Sequence, residues 1–170
     1  KAPPLGLFGE LSTMTRVRGV IRAAMSSTSG ALPSSSPYPT GVPPAMDTQV
    51  VGQGSTYPST AVDADQRPLD GGKTYKLRLP PNIPVKDFWS VIVYDTQTRS
   101  MLQTDQRFPT VGSQSKGLQV NADGSVDVYF GPQAPAGKEG NWVQTIPGKA
   151  WFTILRLYGP LEPWFDKTWR

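Results

Sequence analysis

Two stretches near the C-terminal end, residues 139–142 and 160–166, place carboxylates beside tryptophan and amide side chains. Indole rings stack against apolar surfaces such as those of sugar rings. Paired carboxyl groups can act as general acid and base across a glycosidic bond. The candidate catalytic residues are therefore Glu162, Asp166 and Glu139, and the candidate ligand-binding residues in these stretches are Trp142, Asn141 and Trp164.

A structural interpretation of the same tryptophans stands beside the chemical one. Trp142 and Trp164 could close the ends of the fold, or cover a face that meets another domain or another subunit. The sequence leaves these alternatives open.

Arg156 is the one charged residue in the apolar run 151–158. A buried guanidinium without a partner costs several kcal/mol, so an acidic partner is expected, and Asp95, Asp127 and Glu139 are the candidates. The first interpretation is a buried ion pair that fixes the order of the strands. The second is an arginine that binds an anion or a substrate, with Tyr94 and Asp95 as further ligand-binding residues.

Oxygen-bearing side chains alternate in the stretch 121–127, as they do in a calcium loop. The stretch lacks the terminal bidentate glutamate and the length of an EF-hand. Because Asp123-Gly124 is typical of a tight turn between two strands, we interpret the stretch as a hairpin turn and predict no metal site.

Composition excludes several classes of chemistry. The chain of 170 residues contains neither cysteine nor histidine, which excludes disulfides, thiolate catalysis, Ser-His-Asp triads and ordinary zinc sites. The net charge of +4 is spread along the chain, so we expect no nucleic-acid partner. No apolar run reaches the roughly 20 residues of a membrane span, and no motif predicts a cofactor.

The fold class follows from two apolar stretches, Phe88–Tyr94 and Trp151–Tyr158. Phe88, Ile92 and Tyr94 fall on one side of a period-two pattern, and Trp89, Val91 and Val93 fall on the other. We expect such strands to be covered on both faces and to lie next to or opposite each other. With many proline- and glycine-rich turns, the pattern predicts an all-β, largely antiparallel β-sandwich of jelly-roll type.

The first part of the chain has a different composition. Leu11, Met14, Val17, Ile21 and Met25 recur at helical spacing, and a serine- and proline-rich stretch follows them. We predict a helix and linker over residues 1–44 and the β-sandwich domain over residues 45–170.

An ordered series of motifs carries a resemblance to a known family. The motifs are Tyr94-Asp-Thr-Gln-Thr-Arg-Ser-Met-Leu-Gln-Thr-Asp-Gln, Val120-Asn-Ala-Asp-Gly-Ser-Val-Asp-Val-Tyr-Phe-Gly-Pro, Gly137-Lys-Glu-Gly-Asn-Trp-Val-Gln-Thr and Ile154-Leu-Arg-Leu-Tyr-Gly-Pro-Leu-Glu-Pro-Trp. From about residue 41 to 170 the chain resembles the C-terminal domain of a bacterial two-domain family, known as domains of unknown function 1254 (N-terminal) and 1214 (C-terminal). The large N-terminal domain has no counterpart here, so a truncated member is expected.

The resemblance implies a β-sandwich on a secreted, periplasmic or other cell-envelope protein, and it brings no established reaction. Together with the loop aromatics, it predicts an accessory module that binds a glycan, a small-molecule ligand, a partner domain or a second copy of the chain. The alternative is a carboxylate-dependent hydrolase acting on a polysaccharide.

Overall fold

The computed structural model describes Thr15–Arg16 and residues 50–169. In these residues the strands are β1 (Thr15–Arg16), β2 (Ser55–Thr56), β3 (Ser59–Thr60), β4 (Tyr75–Leu79), β5 (Trp89–Asp95), β6 (Thr110–Gly112), β7 (Val126–Gly131), β8 (Trp142–Gln144) and β9 (Trp151–Tyr158). A 3-10 turn, Glu139–Asn141, precedes β8, and the short helix α1, Glu162–Phe165, follows β9. No helix in the described ranges is long and apolar enough to cross a membrane.

The strands form two sheets that enclose one core. Sheet A has the order β1-β4-β7-β8 and sheet B the order β2-β9-β5-β6, with β3 also paired to β9. The pairs β1–β4 and β7–β8 are parallel and the others are antiparallel. The predicted all-β, largely antiparallel fold is confirmed. The core is built from Tyr75, Leu77, Leu79, Val126, Val128 and Phe130 of sheet A and from Trp89, Val91, Val93, Leu155 and Leu157 of sheet B.

The two apolar stretches identified in the sequence are neighbours in sheet B. Strands β5 and β9 pair antiparallel along their length, from Trp89 opposite Leu157 to Asp95 opposite Trp151. One side of each strand faces sheet A, and Val91 and Val93 are fully buried there. Long pairing of this kind lets every second residue of both strands enter the same core.

The other side of β5 and β9 is covered less completely than predicted, since Ile92 is 8% exposed but Ser90 and Tyr94 are half-buried. Outward-facing side chains shield one another instead, and the residues of β9 on this side are half-buried. The Tyr94 and Phe152 rings stack with centroids 5.3 Å apart, and the Phe88 and Tyr158 rings stack at 4.1 Å. We call this surface the aromatic face, defined by Tyr57, Phe88, Tyr94, Phe152, Arg156 and Tyr158.

The predicted turn before β7 is present, but the hairpin is not. Gly124 has a φ of 79° and donates its amide hydrogen to the Asn121 carbonyl. Residues 118–120 form no strand, because the Asn141 side chain takes the place of a strand partner. Its oxygen accepts the Gln119 amide hydrogen at 2.7 Å, and its nitrogen donates to the Gln119 carbonyl at 2.8 Å.

Most of the predicted N-terminal helix and the whole linker lie outside the described residues. At Thr15 and Arg16 the backbone is a strand and not a helix, paired parallel with Tyr75 and Lys76 of β4. The backbone groups along the outer edge of β4 need hydrogen-bond partners, and the short strand β1 supplies them. The helical spacing of apolar residues in the sequence gives no indication of this pairing.

The alternation along β9 predicts unequal costs for two adjacent truncations. Leu155 is 3% exposed and faces sheet A, so Leu155→Ala should lower the free energy of unfolding by about 2–5 kcal/mol. Ile154 faces outward and is half-buried, so Ile154→Ala should cost about 1 kcal/mol. Urea unfolding of both variants measures the difference. Equal losses would contradict the assignment of inner and outer sides.

Candidate functional site

The predicted catalytic carboxylates at the C-terminal end lie on the surface. Glu162 and Asp166 are exposed at the two ends of α1. One Asp166 oxygen accepts hydrogen bonds from the hydroxyl and the amide of Thr168, at 2.7 and 2.8 Å, and both bonds lower the pKa of Asp166. A general acid at neutral pH needs a raised pKa instead. Asp166 is therefore suited to holding the turn after α1.

Glu139 has a similar local role. It is exposed in the 3-10 turn, and its carboxylate accepts the Gly137 amide hydrogen at 3.0 Å. Glu139 and Asp166 thus each bind a group two residues away in the sequence. Neither contact orients a carboxylate across a cleft toward the other, as glycoside hydrolysis would require.

The oxygen-rich stretch before β7 is also engaged within the fold. Asp123 accepts hydrogen bonds from the hydroxyl and the amide of Ser125 and pairs with Arg78, which lowers the pKa of Asp123 to about 2. No group of three or more His, Cys, Asp or Glu side chains that could hold a metal ion occurs in the described residues.

Asn141 and Trp142 contribute to structure through their polar atoms. Asn141 is 2% exposed, and its amide nitrogen also donates to the Asp127 carbonyl at 2.8 Å, so the side chain is used within the fold. The Trp142 indole nitrogen donates to the Gly131 carbonyl at 2.9 Å, and its ring is half-buried. Ligand binding by Asn141 does not fit this burial.

The burial of Trp164 does not fit the ligand-binding role predicted for it. Trp164 is 4% exposed and belongs to the core cluster. The centre of its ring lies 6.4 Å from the centre of the Trp169 ring and 5.3 Å from the Lys167 ammonium. The short helix α1 turns this ring toward the core instead of toward solvent. Of the two interpretations of Trp164, closure of the end of the fold is the one that its burial supports.

Asp95 ends β5 and holds the turn that follows it. Its carboxylate accepts hydrogen bonds from the Gln97 and Thr98 amides at 2.7 and 3.0 Å and from the Lys149 ammonium at 2.9 Å. The Lys149 bond, followed by the two amide bonds, lowers the pKa of Asp95 from 3.8 to about 2. Asp95 therefore serves the connection between β5 and the loop before β9.

Arg156 has none of the ion-pair partners predicted for it. Asp95 pairs with Lys149, Asp127 pairs with Lys76 at 3.5 Å, and Glu139 bonds to a backbone amide. The expected buried ion pair is wrong because Arg156 occupies the outward side of β9, away from these carboxylates. Within the described residues it forms no salt bridge.

The guanidinium of Arg156 is held by aromatic residues instead. Its Nη2 donates to the Tyr94 hydroxyl at 2.5 Å, and its Cζ lies 5.7 Å from the centre of the Tyr57 ring. Its Nε is buried and has no hydrogen-bond partner in the ranges that the structure describes. Arg156 and Tyr94, two of the predicted ligand-binding residues, therefore meet on the aromatic face.

Sequence reasoning missed the other members of the aromatic face. Tyr57 is 43% exposed, and its ring meets the Tyr158 ring edge-on at 6.3 Å. Phe88, Phe152 and Tyr158 had a signal in the sequence, since each lies on the second apolar side of a strand. The sequence pattern predicts that this side is covered by another layer, and so it does not indicate a surface.

A separate groove of about 420 Å³ lies between the loop before β6 and the residues around the end of β8. It is lined by Gln103, Thr104, Asp105, Pro132, Gln144, Thr145, Ile146 and Pro147. The Asp105 carboxylate and amide bind the Gln144 side chain at 2.9 and 2.8 Å, so these polar groups join the loop to the sheet edge. None of the candidate site residues lines this groove.

Comparison with known proteins places the chain in a family. The model described as "Protein of unknown function (DUF1214)" matches residues 54–162, more than half of the chain. The chain belongs to the DUF1214 family. No curated protein matches it significantly. The resemblance in the motifs to a domain of this family is therefore confirmed.

Two solved structures are similar to this DUF1214 domain. The VPA0106 protein of Vibrio parahaemolyticus is 27% identical with a TM-score of 0.55, over 64% of this chain and 27% of that one. An uncharacterised protein of Burkholderia cenocepacia is 20% identical with a TM-score of 0.43, over 61% of this chain and 25% of that one. The chain thus matches about a quarter of the length of each of these proteins.

The position of Arg156 predicts an unusual stability effect. Arg156→Met removes a buried, unpaired Nε–H and keeps the length of the side chain. The free energy of unfolding should stay within about 1 kcal/mol of the wild type or rise. Breaking a buried ion pair would instead cost about 3–5 kcal/mol. Urea unfolding measures the change, and a loss of that larger size would show that Arg156 has an acidic partner.

The lowered pKa of Asp95 predicts a pH-dependent contribution to stability. The contribution is fully present above the ordinary carboxyl pKa of 3.8 and is lost as the pH falls toward about 2. Asp95→Asn should therefore destabilise the domain at pH 7, and the difference from wild type should shrink across that interval. Thermal unfolding at a series of pH values measures it. The exposed Asp65, which pairs with Arg67 at the surface, provides the control Asp65→Asn. A constant difference for Asp95→Asn would refute the assignment.

Proposed function

We propose that this DUF1214 domain is a non-catalytic module that binds a glycan through the aromatic face. The observation that carries the proposal is the gathering of half-buried aromatic side chains and Arg156 on the outer side of β5 and β9. An outward sheet face is ordinarily polar, because water covers it. A face of half-buried rings favours a binding surface over a solvated one.

The chemistry of the face suits a sugar ring. Sugars present apolar C–H patches and many hydroxyls, so a site for them needs ring surface beside hydrogen-bonding groups. Tyr57 supplies exposed ring surface. The Tyr94 hydroxyl and the Arg156 guanidinium supply donors, and Ser90 lies directly opposite Arg156 in the strand register. This combination supports a glycan more than a purely apolar ligand.

The hydrolase alternative has weaker support. The candidate acids Glu139 and Asp166 bind groups within their own turns, and the pKa of Asp166 is lowered. Glu162 is exposed on α1. Two further carboxylates, Asp127 and Asp95, form salt bridges with Lys76 and Lys149. Binding without turnover is therefore the function that we propose.

We also propose, from the family resemblance, that the protein is exported or located in the cell envelope. The same resemblance suggests a partner domain similar to domain of unknown function 1254. A partner domain or a second copy of the chain would compete with a glycan for the aromatic face, since one surface cannot hold both. Cell fractionation tests the location, and the binding measurements that follow bear on the partner domain.

The test of glycan binding is a glycan array followed by calorimetry with the strongest ligand. Tyr57→Ala and Tyr158→Ala should each weaken binding about tenfold, which corresponds to about 1.4 kcal/mol. The matched control is Val120→Ala, which truncates an exposed apolar residue (59% exposed) of the loop before β7, outside the aromatic face. Its affinity should equal that of the wild type. Binding to no glycan, or equal affinity in all three variants, would overturn the proposal.

A further inference from the structure

We infer that the glycan bound by the aromatic face carries an acidic group, a carboxylate or a sulfate, which the guanidinium of Arg156 recognises. The inference rests on the proposed function and adds the chemical class of the ligand. It depends on a different observation, namely the absence of a counter-ion for Arg156 among the described residues.

The ionic contacts among the residues that the structure describes leave Arg156 without an acidic partner. Salt bridges join Arg67 to Asp65, Lys73 to Asp70, Lys76 to Asp127, Arg78 to Asp123 and Lys149 to Asp95. Asp87, which precedes Phe88 at the border of the aromatic face, is exposed and forms no salt bridge with Arg156. Among the described residues this half-buried guanidinium has the Tyr94 hydroxyl and the Tyr57 ring as partners but no carboxylate, so it attracts an anion from outside.

The contacts of Arg156 leave donors available for that anion. Its Nε is buried, and one Nη2 hydrogen is donated to the Tyr94 hydroxyl. The Nη1 hydrogens and the second Nη2 hydrogen have no acceptor within the described residues. An acidic group approaching these two nitrogens can accept two parallel hydrogen bonds. The Tyr94 hydroxyl, which accepts from Arg156, can donate its own hydrogen to the same anion.

The guanidinium is also held in place before any ligand binds. Tyr94 fixes Nη2, and the Tyr57 ring lies 5.7 Å from Cζ. Tyr94 is itself stacked on Phe152 at 5.3 Å, so its hydroxyl has a supported position. Holding a flexible side chain in its binding geometry reduces the entropy lost on association.

Small residues lie beside Arg156 in the sheet. Ser90 lies opposite Arg156, and Gly112 of β6 lies opposite Ser90 on its other side. A Cβ at Gly112 would come within 2.4 Å of the Trp89 carbonyl oxygen, so the close approach of the strands requires glycine there. The row from Arg156 to Gly112 therefore carries no aromatic side chain, with Ser90 half-buried and Gly112 buried.

The experiment compares acidic and neutral glycans in binding to the domain at about 0.15 M salt, where distant charges are largely screened. The probes are trigalacturonate, its neutral methyl ester and a sulfated trisaccharide of the same length, together with the strongest array ligands. Acidic probes should bind at least tenfold more tightly than the ester. The carboxylate and sulfate arms distinguish the two sources of negative charge.

The variants separate recognition by Arg156 from general attraction to a basic protein. Arg156→Met should abolish the preference for acidic probes, and Arg156→Lys should lose most of it, because an ammonium lacks the planar pair of donors. Lys116→Gln is the control for charge, since Lys116 is exposed on the loop before β7. It should retain the affinity to within about twofold.

Each outcome bears on a different part of the inference. Binding of acidic probes that depends on Arg156 and not on Lys116 supports it. Equal losses in both variants, or binding of neutral glycans alone that depends on Tyr57, overturn the acidic-ligand inference and leave the glycan proposal standing. Binding of no glycan at all overturns both. Thermal unfolding of Arg156→Met confirms that a loss of binding does not come from unfolding.

Discussion

The antiparallel pairing of β5 with β9 is the constraint on which the rest of the domain depends. The two strands pair from Trp89–Leu157 to Asp95–Trp151. Each buried valine or leucine on their inner side contributes about 1.5–3 kcal/mol through the apolar surface it removes from water. The ends of the pairing are also fixed, because Asp95 holds the turn after β5 and binds Lys149 ahead of β9. The register then decides which side chains enter the core and which share the outer face.

The aromatic face is a direct consequence of that register. Side chains alternate along a strand, so a strand with apolar residues in both alternating sets must place one of those sets outside the core. In β5 and β9 these groups include Tyr94, Phe152 and Tyr158, which stack on neighbouring rings and stay half-buried. Arg156 falls on the same side for the same reason. Its position therefore reflects strand geometry, and the lack of an acidic partner in the described part of the chain distinguishes it from an arginine kept for stability.

The carboxylates illustrate how local bonding limits what a residue can do. Asp95, Asp123 and Asp166 each accept hydrogen bonds from backbone amides within three residues, and all three have lowered pKa values. Such bonds favour the ionised form and fix a turn. A carboxyl group held in this way is a poor proton donor near neutral pH. Asp166, which lies close to Trp164 in the sequence, is therefore poorly suited to act as a general acid.

The sequence by itself determined the all-β class, the two apolar strands, the tight turn at Gly124 and the family, because these depend on local spacing and on motifs in a fixed order. The sequence could not determine which side of β5 and β9 faces sheet A, since period-two alternation defines two sides of a strand but does not show which one enters the core. The burial of Trp164 and Asn141 and the separation of Arg156 from Asp95, Asp127 and Glu139 were likewise decided only by the tertiary structure. Each depends on contacts between segments far apart in the chain, as when Arg156 of β9 meets Tyr94 of β5. Such contacts are set by the pairing and packing of strands, which cannot be deduced from local residue patterns.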